Sequence, residues 1–129
     1  MNGRRLRTGP GAVTAALVLA AGFAASPARA VSDATVDRYV RLSDAFHAQL
    51  SRSPIAGLSA DARRARAVCI LSRFEQGFGA EGVAALMELM DVLSQGAEFD
   101  DPTIIAFNDR FGASYDRTET ECTGQARGS

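Results

Sequence analysis

Apolar positions recur along most of this chain at steps of three and four, the spacing that places side chains on one face of an α-helix. Val36, Tyr39, Val40, Ser43, Phe46 and Leu50 share one such face. Ala67, Ile70, Leu71, Phe74 and Phe78 make a second, and Val83, Leu86, Met87, Met90 and Leu93 a third. A fourth runs through Ile104, Phe107, Phe111, Tyr115, Thr118 and Cys122. No stretch alternates apolar and polar residues as a half-buried strand does, so the predicted class is all-α.

Local end signals divide this pattern into four helices, at about 33–52, 60–77, 80–95 and 102–122. Ser32 and Ser59 are N-caps, each followed by an acid in the first turn, Asp33 and Asp61, where negative charge suits the helix dipole. Pro54 drives Ser53 out of helical backbone and marks the end of the first helix. Gly77-Phe78-Gly79 reads as a stop, with Phe78 folded back onto the core, and Gly96 as a C-terminal cap. Asp101-Pro102 is the sharpest start signal, an acceptor at the cap followed by a residue with no N–H to satisfy. Gly124 ends the fourth helix, leaving 123–129 as a loose polar tail. The expected fold is a small four-helix bundle-like domain over 31–122.

Residues 1–30 read as a targeting segment rather than fold. Arg4, Arg5 and Arg7 precede an apolar run from Ala12 to Ala25, and Ala28 and Ala30 supply the small residues of a cleavage site. The run is too short to span about 30 Å of hydrocarbon. A cleavable signal peptide ending at Ala30 is expected, and with it a periplasmic or extracellular protein with no stable membrane span. Ordinary secretion is preferred to the twin-arginine route.

Composition changes the picture in two places. The chain has no lysine, and after removal of residues 1–30 ten arginines face fifteen acids, a formal charge of −5 that argues against nucleic acid as a partner. It also has two cysteines, Cys69 and Cys122. In an oxidising compartment they allow one intramolecular disulfide. Closing a loop of about fifty residues, it contributes roughly 4 kcal/mol on the chain-entropy account.

Charge is unevenly placed. Arg63, Arg64 and Arg66 stand early in the second helix, against its own dipole, while Glu119 and Glu121 flank Cys122. A Cys69–Cys122 bond brings Arg66 and Arg73 within reach of Glu119 and Glu121. Solvation is the next explanation of these arginines, and a patch at Arg63, Arg64 and Arg66 that docks an anion or acidic partner the last. Phe74, Phe78, Met87, Met90, Phe107 and Phe111 are core residues by default, or else the lining of an adaptable apolar groove. His47, the only histidine, has Asp44 three residues back and otherwise no catalytic or ligand-spaced partner; it reads as a helix-surface residue beside Phe46. Glu98 to Asp101 lack the spacing of a calcium loop. No metal or cofactor is called for, and no enzyme constellation stands out. The first functional expectation is therefore a non-enzymatic module binding a protein or polypeptide of the cell envelope. The second is a carrier of a small apolar ligand between the second, third and fourth helices.

Overall fold

A computed structural model describes residues 31–128; the expected signal peptide, 1–30, lies outside the described residues. Three helices and no strand make up this region: α1 (Asp33–His47), α2 (Ala60–Ser94) and α3 (Pro102–Gly128). The expected second and third helices form one element because the chain interrupts helical geometry at a single residue. Gly79 adopts φ 70 and ψ −163, and helix resumes at once on its far side. That backbone region is open to glycine alone, so Gly79 makes the kink that the pattern suggested as a stop. Gly82 then matters for space, since a Cβ there would lie 2.4 Å from the Cβ of Phe78.

The caps act as their chemistry requires. Ser32 Oγ accepts from Thr35 N–H, Ser59 Oγ from Ala62 N–H, and Asp101 Oδ1 from Thr103 N–H at 2.8 Å. At the end of α2, Gly96 N–H donates to Leu93 O and Ala97 N–H to Val92 O, with Gly96 at φ 87. This is a Schellman closure, and it settles two carbonyls left without helical partners.

Two helix ends differ from expectation. Helix α1 stops at His47 rather than near Arg52, because Gln49 leaves the helical ladder and gives its side-chain amide to the carbonyls of Leu93 and Ser94. Helix α3 passes through Gly124 to Gly128. Thr123 and Ala126 are buried, and Arg127 donates to the carbonyls of Pro54 and Ala56, so tertiary contact holds the segment expected to be loose.

Helix α2 is the centre of the fold. Both α1 and α3 pack on it, yet the backbones of α1 and α3 nowhere approach within 8 Å, Cα to Cα. On the α2–α3 side, rings fill the core. Phe74 stacks on Phe107 at 6.1 Å and meets Phe111 and Tyr115 at 6.0 Å, while Phe78 sets its edge to Phe111 at 4.9 Å. Such pairs add about 0.5–1.5 kcal/mol each beyond the area they bury. Ile70, Leu71, Leu86 and Met90 complete the interior. Between α1 and α3 the gap is spanned by longer side chains, and these are polar.

Candidate functional site

Arg66 spans that gap. Its side chain is 2 % exposed, and it reaches from α2 to both outer helices. Nε donates to Thr123 Oγ1 at 2.7 Å and Nη2 to Glu119 at 3.2 Å on α3, while Nη1 donates to Ser43 Oγ at 3.3 Å on α1. Tyr115 O–H donates to Glu119 Oε2 at 2.9 Å. With its own proton so engaged, Tyr115 accepts from Tyr39 O–H at 3.4 Å. Burial pushes the ionisation of both phenols above the ordinary tyrosine range, Tyr115 furthest, so both remain neutral donors. Three helices thus share one charged, hydrogen-bonded cluster in which a buried cation has a carboxylate and two hydroxyls as partners.

His47 joins the cluster from α1. It is 5 % exposed, which corrects the expected surface position. Nδ1 lies 2.7 Å from the carbonyl oxygen of Ser43, so that nitrogen carries the proton. Burial lowers the pKa below the ordinary histidine value, despite the carbonyl contact that favours the protonated form. The neutral ring is therefore the form that folds at pH 7. Asp44 and His47 both border an open groove of about 290 Å³, beside Arg63 and the turn at Ala56-Gly57.

The disulfide closes beside this cluster. Cys69 and Cys122 are bonded, with Cα atoms 5.7 Å apart. Charge contacts bracket Cys122 along α3: Glu119 and Thr123 hold Arg66, and Glu121 pairs with Arg73. The pairing expected of Arg66 and Arg73 is therefore present.

The proposed arginine patch needs correction. Arg66 is interior and cannot meet a partner. Arg64 pairs with Asp37 and with Asp33 on α1, and Arg63 lies 3.7 Å from Asp44. The helix-2 arginines oppose their own dipole because acids of α1 and α3 surround them. That leaves Arg63 and Arg64 as ion pairs at the surface, worth about 0–1 kcal/mol each.

The residues offered for an apolar groove mostly take their default reading as core. Phe74, Met90, Phe107 and Phe111 are buried against one another, Met87 is buried in the same core, and Phe78 remains 38 % exposed at its edge. Five of these side chains pack into the interior, and Phe78 joins them only at its edge. Phe107 and Phe111 show one flank to an outer groove of about 390 Å³, floored by Ala85, Pro102 and Ala106 with Glu88 and Arg110 at the rim.

One surface feature gave no helical-periodicity signal. Phe99, in the α2–α3 connection, is 89 % exposed, between exposed Glu98 and Asp100. Ile105, one turn into α3, is exposed too, and Asp109 and Asp116 follow it on the same helix face at steps of four and seven. Among the described residues no ion pair engages Glu98, Asp100, Asp109 or Asp116. Its sequence signal was composition: a lone aromatic residue set in an acidic loop.

No described helix is long and apolar enough to cross a membrane, and among the described residues no three His, Cys, Asp or Glu side chains gather as a metal site would require. No protein-family model, curated protein or solved structure matches the chain, so its residues and their geometry carry the functional reading.

Proposed function

We propose that the chain is exported, with residues 1–30 as its leader, and that the mature helical unit is a non-enzymatic module binding another protein of the cell envelope. The observation that carries the binding surface is Phe99. A phenylalanine ring in water forgoes roughly 2 kcal/mol that burial would return, and nothing in the described fold needs it outside. Glu98 and Asp100, which flank it, make no ion pair among the described residues. The surface therefore suits a partner with an apolar pocket rimmed by Arg or Lys, where Phe99 is the anchor and the acids speed and orient encounter.

The test places a photo-crosslinking benzoylphenylalanine at position 99 and, as control, at exposed Ala45 on α1, in cells that make the protein. A discrete adduct from position 99, lost when Asp100 and Asp109 are changed to Arg, supports the reading. Equal labelling from both positions, or none from either, counts against it. Export is checked separately by intact mass, which should place the N-terminus of protein recovered outside the cytoplasm at Val31.

A further inference from the structure

We propose that the Cys69–Cys122 bond is a thiol–disulfide exchange site in the folded protein, attacked at Cys69 by a small dithiol or by the thiolate of a dithiol protein. The inference rests on the surroundings of the two sulfurs and is independent of the binding surface at Phe99. A recess of about 150 Å³ opens onto the bond, lined by Ala65, Cys69, Cys122, Gln125 and Ala126. Two of the five lining residues are alanines, and the one long side chain among them, Gln125, sets its Oε1 3.7 Å from Cys69 Sγ. The two cysteines differ in access: Cys69 is half-buried, whereas Cys122 is 1 % exposed. An incoming thiolate therefore meets Cys69 Sγ first.

The exchange conserves atoms and electrons. The thiolate attacks Cys69 Sγ and forms a mixed disulfide; the old S–S bond breaks, and its electron pair leaves on Cys122 Sγ, which takes up a proton. The second thiol of the dithiol then displaces Cys69 as thiolate. The protein gains two electrons and two protons, and the dithiol becomes a disulfide.

The same structure makes the step reversible. Arg66 holds Glu119 and Thr123, and Arg73 holds Glu121, so α3 is tied to α2 on both sides of residue 122 by contacts that do not involve sulfur. After reduction these ties keep Cys122 in register with Cys69, and oxidation restores the original bond.

Reduction of the mature protein by dithiothreitol tests this, followed by acid quench and mass spectrometry over a range of urea below the unfolding transition. Exchange in the folded state gives a rate proportional to dithiothreitol and flat in urea. Ala65→Phe, a change at an exposed helix position that plugs the recess, should slow it at least tenfold while the denatured proteins react alike. With the monothiol glutathione, the trapped adduct should map to Cys69. A rate that climbs exponentially with urea, an Ala65→Phe variant as fast as wild type, or an adduct on Cys122 would overturn the assignment.

Discussion

Removing either member of the Arg66–Glu119 pair should have unequal consequences, because the two groups differ in their access to water. The Arg66 side chain is 2 % exposed and that of Glu119 is 27 % exposed. Glu119→Ala strands a guanidinium that cannot be hydrated where it lies, and removes the acceptor of Tyr115. Breaking a buried pair in this way costs about 3–5 kcal/mol. Arg66→Met keeps most of the side-chain volume and leaves a carboxylate that water can reach, together with the hydroxyls of Ser43 and Thr123. Its cost is about 1–3 kcal/mol, the range for polar groups left with poorer partners. In the double variant no charge is stranded, so it should be no less stable than Arg66→Met alone, and the coupling between the sites should then be at least the Glu119→Ala cost, about 3 kcal/mol or more. Urea unfolding followed by far-ultraviolet circular dichroism measures all four forms. The intact disulfide restricts their unfolded chains equally and cancels from the comparison. A coupling below about 0.5 kcal/mol, or an Arg66→Met change costlier than Glu119→Ala, would refute the reasoning.

Four further outcomes are expected. Gly79→Ala should destabilise by about 1–3 kcal/mol through backbone strain, since no neighbouring atom lies within 4 Å of the added Cβ; a cost under about 0.5 kcal/mol would mean that the kink tolerates a side chain. Reducing and alkylating Cys69 and Cys122 should lower stability by about 4 kcal/mol on the chain-entropy account, given their separation of 53 residues, and calorimetry showing no shift would remove the bond as a staple. Stability should fall as pH drops below about 6.5, because the unfolded chain then binds a proton at His47 that the fold, with its lowered pKa, excludes; above that pH the contribution is complete, and it is lost progressively down to the folded-state pKa. His47→Gln should lack this component, and superposable urea midpoints for the two proteins from pH 7 to 5 would contradict it. Phe99→Ser should leave the urea midpoint within error while abolishing the crosslink from neighbouring positions, and a large loss of stability would show that the ring supports the fold instead.

How much of this was legible in the sequence depended on the range of the interaction. Caps are local, so Ser32, Ser59, Asp101-Pro102 and Gly96 could be read from neighbours a few residues away. The cystine was legible by arithmetic, as two cysteines offer a single internal pairing. Gly79 was visible as a break but not as a hinge, because the same glycine chemistry serves both and only the packing of Phe78 on Gly82 decides between them. Gly124 looked like an end, yet contacts from Arg127 to a loop some seventy residues earlier carry α3 past it. The interior was least legible where it is polar. An arginine in an amphipathic helix reads as solvent-facing, and Arg66 can be buried only because Glu119, Thr123 and Ser43 arrive from two other helices. His47 was misplaced for a different reason: its hydrogen-bond partner, the Ser43 carbonyl, is on its own helix, but its burial comes from packing that local spacing does not show. The apolar residues were read correctly as core by default, since a unit this small has few other side chains to fill it.

The junction between α1 and α3 is carried by the Arg66 guanidinium together with the Tyr39–Tyr115 contact, and the Arg66 Nε–H is its most direct witness. In ¹⁵N-labelled protein comprising residues 31–129, Arg66 should give a resolved, slowly exchanging Nε–H resonance with contacts to the side chain of Thr123, absent from the Arg66→Met spectrum. If every arginine Nε–H exchanges rapidly with water and none shows those contacts, the guanidinium is not enclosed between the helices, and the account of how this fold is held together is wrong.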